Sequence, residues 1–358
     1  MQIQAHGGDI YSARYRLDFS TNVNPLGPPE SVRQAVISSA RFLEQYPDVQ
    51  CRELRHALSE SMGIQEDFII CSNGSAELIY SIAAAVKPRS ALVVCPAFSE
   101  YEQALHMTGC TNIEYYFCTR ANGFQLMPDI LDQITDELDI LYLANPANPT
   151  GVLFSHSLLQ EIARRCCEMR VVLVLDESYN GLLEHPEKET LRGLLEENPG
   201  LFIIDAFTKT YAMPGIRLGY GMSSNLPLMG KIQTVVQPWN VSVAAQMAGI
   251  AALSEKSYVE DVRKMIAAEL VFMKQMLQRV GLRYVDSAAN FILIEAPPAL
   301  YDQCRERGIL IRDCSSFRGL RPGYFRLAVR ARRENEEILG LLSSLCRNKA
   351  RTLPSYLD

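Results

Sequence analysis

Lys209 stands in an almost uncharged stretch, between the apolar run Leu201-Phe202-Ile203-Ile204 and a small-residue loop that ends in Arg217. An ammonium there is costly unless it has work to do. A lysine that sheds its proton attacks carbonyl carbon and forms a Schiff base with an aldehyde. Two other polar residues follow apolar runs in the same way. Asp176 comes after Val171-Val172-Leu173-Val174-Leu175, 33 residues before the lysine, and Asn145 comes after Ile140-Leu141-Tyr142-Leu143. An acid, an amide and a masked amine at equivalent points of three runs make one composite site.

The elements that must position them follow from the pattern. Apolar runs at Phe68–Cys71, Ala91–Val94, Ile140–Leu143, Val171–Leu175, Leu201–Ile204 and Leu218–Gly221 alternate with helical stretches. Strands that are apolar on both faces belong to a mostly parallel sheet covered by helices. Ligands of such sheets bind beyond the carboxyl ends of the strands, where Asn145, Asp176 and Lys209 fall. Helical periodicity covers 31–63, interrupted near Tyr46-Pro47-Asp48, and begins again at Ala76. A break over 222–240 precedes one long helix over 242–280. Shorter strands at Asn290–Ile294, Ile309–Arg312 and Tyr324–Arg330, with a helix near 299–307, read as a smaller α/β domain of antiparallel type. The expected division is an arm over 1–30, a large domain over 31–235, and a connecting helix with a small domain over 236–358.

Composition narrows the function classes. The chain has 358 residues, 48% hydrophobic and 21% charged, with a formal charge of −6. That balance offers no basic footprint for nucleic acid. No run of about 18 apolar residues predicts a membrane span, and the first residues lack the apolar centre of a signal peptide. The ten cysteines are scattered, with no C-x-x-C spacing, so neither a metal nor a disulfide framework is expected. Reduced thiols in the cytoplasm fit that spacing.

The aldehyde that suits Lys209 is pyridoxal 5'-phosphate, whose other needs can be sought along the chain. Its pyridine nitrogen wants a carboxylate that keeps it protonated and makes the ring an electron sink. Asp176 suits that role, against the competing reading of a helix cap. Asn145-Pro146-Ala147-Asn148-Pro149-Thr150-Gly151 is a stiff double turn that aims the Asn148 amide at the crevice. Asn148 and Tyr179 are the expected partners of the phenolic oxygen. The turn Ser72-Asn73-Gly74-Ser75-Ala76 opens a helix, so the backbone of Gly74, Ser75 and Ala76 suits a phosphate. Thr208 and Arg217 add a hydroxyl and a guanidinium. Tyr101 is the expected ring-stacking aromatic.

N-P-x-N-P-T-G, Asp176-x-x-Tyr179 and T-K-x-x-x-x-P-G-x-R-x-G-Y, in that order, resemble the fold-type I pyridoxal-phosphate enzymes of the class I/II aminotransferase superfamily. The resemblance covers almost the whole chain. Within it the chain is most similar to the L-threonine-O-3-phosphate decarboxylases and the related histidinol-phosphate aminotransferases. His6-Gly7-Gly8 and Leu17-Asp18-Phe19-Ser20-Thr21-Asn22-Val23-Asn24-Pro25-Leu26-Gly27 favour the decarboxylases. This resemblance implies decarboxylation of L-threonine O-3-phosphate to (R)-1-amino-2-propanol O-2-phosphate and CO2, a step toward the nucleotide-loop linker of cobalamin. The alternatives are a histidinol-phosphate aminotransferase or a decarboxylase of serine phosphate. It also implies Lys209 as the Schiff-base lysine, with His6, Asn24, Arg312 and Arg326 on the substrate. Tyr46 would reach the cofactor phosphate of a partner subunit, hence a homodimer with shared sites. Two departures stand out: Ala206 where relatives place Ser, and Asp9 where they place Asn.

Overall fold

The computed structural model describes residues 6–350, so the parts of the arm and small domain at 1–5 and 351–358 lie outside the described residues. Seven strands build the central sheet: β1 (Ile69–Ser72), β2 (Ser90–Cys95), β3 (Asn112–Phe117), β4 (Ile140–Ala144), β5 (Val172–Asp176), β6 (Leu201–Ala206) and β7 (Gly219–Met222). Their spatial order is β1-β7-β6-β5-β4-β2-β3, with β7 antiparallel to both neighbours and β2 to β6 mutually parallel. The register pairs Ala144 with Asp176 and Asp176 with Ile204, which aligns three strand ends on one edge.

Both faces are apolar because alternate side chains go to opposite sides. Leu141, Leu143, Leu173 and Leu175 pack with Leu159 and Ile162 of the helix His156–Met169. Tyr142, Val174, Phe202 and Ile204 pack the other way, against Ile79 and Ile82 of α1 (Ser75–Val86). Each such buried side chain contributes about 1.5–3 kcal/mol, and Phe202→Ala would cost about 3–5 kcal/mol.

The smaller sheet contains β8 (Arg283–Tyr284), β9 (Phe291–Glu295), β10 (Arg312–Asp313) and β11 (Tyr324–Ala328) in the antiparallel order β10-β11-β9-β8. Its core joins Ile292, Phe325 and Leu327 to Met273 and Leu277 of the helix Lys256–Val280, and to Phe19 of the arm. The arm is part of this unit. Leu17–Asp18 pairs in parallel with Ile309–Leu310, and Phe19 accepts from the Ala328 amide at 2.9 Å.

Two expectations are corrected, and one strand was not foreseen. The helix expected over 242–280 is two, Val243–Leu253 and Lys256–Val280, split at Ser254-Glu255, where Glu255 turns aside to accept from Ser31. The expected break over 222–240 holds the helix Leu226–Val235. There Asn225 caps the Leu228 amide at 3.0 Å and Pro227 sits in the first turn, so Asn-Leu-Pro starts a helix. Strand β3 had no apolar run to announce it, because it is a half-exposed edge strand carrying Asn112 and Glu114.

Candidate active site

One cavity of about 770 Å³ opens over the strand ends. Lys209, Asp176, Asn148, Tyr179, Thr208, Arg217, Ser75, Ala76, Tyr101, His6, Arg312 and Arg326 all line it. Lys209 projects from the short helix Phe207–Thr210 directly after β6. Its ammonium lies 5.8 Å from the Tyr179 ring and has no hydrogen-bond or carboxylate partner among the described residues. Such a cation is available for chemistry rather than spent on structure.

Asp176 ends β5. Its carboxylate accepts from the Tyr101 hydroxyl at 2.7 Å and from the Ser178 amide at 2.9 Å. The Ser178 bond closes a turn and not the helix cap weighed above, since no helix begins at Asp176; the carboxylate braces that turn and faces the cavity at once. Burial and the neighbouring Asp176 charge hold the Tyr101 hydroxyl protonated, well above the ordinary phenol range. Tyr101 is therefore a permanent donor to Asp176. Its ring is 2% exposed and stacks on Tyr142 at 5.1 Å. Phe98, half-buried, also lines the cavity, beside His6 at 6.1 Å. Its position at the turn after β2 was the signal that could have found it.

Asn148 accepts from Arg326 through Oδ1, which turns its amide nitrogen the other way as a donor. Arg326 is 6% exposed and also donates to the Ser20 carbonyl at 2.9 Å. Arg312 and Arg326 are direct cross-strand partners between β10 and β11. Like charges directly opposite destabilise a sheet, and no carboxylate pairs with either among the described residues. Burial, with the Arg326 charge adding to it, lowers the pKa of Arg312. Two facing guanidiniums in a cavity are a site for anions.

The phosphate cradle is built from a helix start. Helix α1 leaves its first amides, at Ser75 and Ala76, without intrahelical acceptors. Gly74 precedes it at φ +79°, and a Cβ there would lie 2.3 Å from the Arg217 guanidinium. The glycine thus lets Arg217 lie against the positive helix end. Ala206 lines the cavity without a hydroxyl, so Ser75 and Thr208 are the side-chain hydroxyls on this wall.

Two residues stand elsewhere. Asn24 is a correction: it is 2% exposed and behind the lysine turn, where its amide donates to the Thr210 carbonyl and to Tyr258 at 2.8 Å each. It braces the loop and does not line the cavity. Asn22, two residues earlier, does line it. Its Nδ2 donates to the Tyr179 hydroxyl at 3.3 Å, and its Oδ1 is buried without a partner. Tyr46 is 79% exposed and stacks on Trp239 at 4.6 Å, outside its own chain's cavity.

The reverse side of the same strand ends is also polar. Asp205 and Tyr220 line a second cavity of about 300 Å³. Burial raises Asp205 to about 7 and Glu177 to about 8.

Unpartnered buried atoms on the main cavity, namely Asn22 Oδ1, Ser178 Oγ and Arg326 Nε, fit a polar occupant. With the cradle at Gly74 and the acid at Asp176, they match what pyridoxal 5'-phosphate requires. The family model of class I and II aminotransferases matches residues 16–345. The chain belongs to that family. Its cofactor is pyridoxal 5'-phosphate, the group its motifs resemble and its donor set fits. The threonine-phosphate decarboxylase of Salmonella typhimurium is 35% identical over 95% of this chain and 96% of its own. A histidinol-phosphate aminotransferase of Symbiobacterium thermophilum is 32% identical over 90% of this chain and 88% of its own. The crystal structure of the histidinol-phosphate aminotransferase from Clostridium acetobutylicum superposes with a TM-score of 0.87 at 28% identity, covering 93% of this chain and 99% of that one. Among the described residues no helix is long and apolar enough to cross a membrane.

Proposed function

We propose that this chain decarboxylates L-threonine O-3-phosphate to (R)-1-amino-2-propanol O-2-phosphate and CO2. The observation that carries the reading is the facing pair Arg312 and Arg326, free of carboxylates, in the cavity of Lys209. A substrate with a carboxylate and a phosphate supplies one anion for each guanidinium. The similarity to the Salmonella decarboxylase supports the same reading.

When bound, pyridoxal 5'-phosphate supplies an electron sink for the carbon that carries the substrate nitrogen. Everything else is done by side chains. Lys209 would hold the cofactor through its aldehyde, and its amine stands over the cavity where it can carry a proton. Asp176 would hold a proton on the pyridine nitrogen, and Tyr101 keeps the carboxylate aimed. Asn148, fixed by Arg326, and Tyr179 hold the phenolic oxygen. Gly74, Ser75, Ala76, Thr208 and Arg217 hold the cofactor phosphate, and Phe98 covers the ring. Arg312, Arg326 and His6 orient the substrate's anions. Which bond at Cα breaks would depend on that orientation, set by Arg312, Arg326 and His6.

A homodimer belongs to this proposal. Leu43, Tyr46, Val49 and Trp239 are exposed, at 87%, 79%, 53% and 48%, and Tyr46 stacks on Trp239. Tyr46 from one protomer would then reach the cofactor phosphate of its partner. We further propose the division into arm, large domain and small domain, with the last boundary at Ser254, since Val243–Leu253 packs on the helices Glu30–Ser39 and Arg52–Met62. A cytoplasmic location suits the described cysteines, none of which is in a disulfide.

The test is product analysis. Holoenzyme incubated with threonine phosphate should release CO2 with no dependence on 2-oxoglutarate. Serine phosphate, one methyl group smaller, should react more weakly, since a methyl group discriminates by about 1–3 kcal/mol. Glutamate production from histidinol phosphate and no CO2 from threonine phosphate would replace this reading with the aminotransferase one.

A further inference from the structure

The wall of the cavity that carries Arg312 is tied to the large sheet by an ion pair, Glu102 with Arg318, that itself lines the cavity. Arg318 donates to both oxygens of Glu102, from Nε at 3.1 Å and from Nη2 at 2.5 Å. Glu102 lies on the helix Ser99–Met107, whose first turn also carries Tyr101. The Arg318 guanidinium sits 4.2 Å over the Tyr115 ring, and the Tyr115 hydroxyl donates to the same Glu102 carboxylate at 2.9 Å. His106 adds a contact to that carboxylate at 3.4 Å. Accordingly Glu102 is held below, and Arg318 above, its ordinary pKa by this shared bonding, although burial opposes it.

A half-exposed ion pair is worth little to stability on its own. This one has a fixed geometry, two-pronged and stacked, and it joins segments 216 residues apart. The segment it anchors, Ser315-Ser316-Phe317-Arg318-Gly319-Leu320, lines the cavity throughout. Two of its residues touch Arg312. Ser316 accepts from the guanidinium at 3.3 Å, and the Phe317 ring lies 5.3 Å beneath it. Gly319, at φ +88°, lets the backbone press on the edge strand, since a Cβ there would come within 2.9 Å of Phe117. The support for Arg312 therefore runs from Glu102 and Tyr115 through Arg318 to Ser316 and Phe317.

We propose that the Glu102–Arg318–Tyr115 clasp is a positioning device for the substrate's distal anion: it sets the 315–320 segment, and through it Arg312, at the depth that receives a phosphate. Glu102 and Arg318 line the cavity but are spent on each other, so in this proposal they are positioning residues. The inference rests on the decarboxylase reading for the identity of the distal anion, and on the geometry above for the device itself.

The test separates the two. In holoenzyme of the wild type, Glu102→Gln, Arg318→Gln and the double variant, binding of O-phospho-L-threonine, L-threonine and inorganic phosphate is measured by calorimetry, with KM and kcat for the first. The clasp predicts about tenfold weaker binding of both phosphate-bearing ligands, a matching rise in KM with kcat within about threefold, and L-threonine binding unchanged. The double variant should be no worse than either single one, and the charge exchange Glu102→Arg with Arg318→Glu should restore part of the loss. Equal weakening of all three ligands, or weakening of none, overturns the proposal, as does a drop in melting temperature alone. If wild-type enzyme leaves phosphothreonine unreacted while phosphate binding still follows the clasp, the decarboxylase reading falls and the positioning role stands.

Discussion

The two walls of the cavity are built by different means. On the cofactor wall, Asp176, Asn148, Lys209, Ser75 and Ala76 all sit within a few residues of the end of a strand of one sheet. On the substrate wall, His6, Asn22, Arg312, Arg326 and the 315–320 segment come from the arm and the small sheet, and long-range contacts bring them there. The first wall is short-range and stiff. The second is an assembly of separate pieces held by a few polar links. A superfamily that keeps one cofactor and varies its reaction needs a conserved kind of chemistry beside an adjustable kind of grip, and the division of labour here has that form.

The comparison can be broken most sharply on the cofactor wall. Lys209→Ala should lower turnover by about ten-thousand-fold, since nucleophile and proton carrier leave together. The cofactor should still bind, but borohydride should no longer attach it covalently, as mass spectrometry would read. Asp176→Asn should lower kcat by about 10²–10³-fold with little change in KM, because the lost interaction acts on developing charge. Arg326→Lys belongs to the other wall and should raise KM by about 10–100-fold, the cost of exchanging a two-pronged charged contact for a point charge.

The smallest effect concerns the reverse of the strand ends. Burial raises Asp205 to about 7 and Glu177 to about 8 in the fold, against ordinary values of 3.8 and 4.5. A carboxyl with a raised folded pKa binds more protons folded than unfolded, so its contribution is fully present below about pH 4 and is lost as pH rises through 7 to 8. Melting temperature should therefore decline over that window. Asp205→Asn and Glu177→Gln should flatten the decline, whatever their effect on the absolute value. A profile of unchanged slope would place neither carboxyl in that role.

Legibility in the sequence follows the same line as the walls. Lys209, Asp176, Asn148 and the Gly74 turn could be found because each is a polar residue at the end of an apolar run, a local signal with a local cause. The facing of Arg312 and Arg326 could not be read from spacing, since it depends on strand register. Asn24 and Asn22 differ by two residues in one extended arm, yet one braces the lysine loop and the other lines the cavity. Type alone does not separate them; the path of the backbone does. Tyr101 and Phe98 pose the same problem at the start of one helix: both line the cavity, and only the fold shows that Tyr101 is buried against Tyr142 while Phe98 is half-buried. Strand β3 was missed because an edge strand need not be apolar on both faces.

The central claim is that the cofactor wall supplies the chemistry and the substrate wall selects the bond. Its most direct test is the ratio of CO2 to keto-acid product formed from threonine phosphate by Arg312→Lys holoenzyme, with the visible cofactor band recorded in the same sample; Arg312 is chosen because Arg326 also holds Asn148. The account predicts a band like that of the wild type and a CO2 fraction reduced by at least about tenfold. A slower enzyme with the wild-type ratio of products would contradict it, because bond selection would then reside on the cofactor wall.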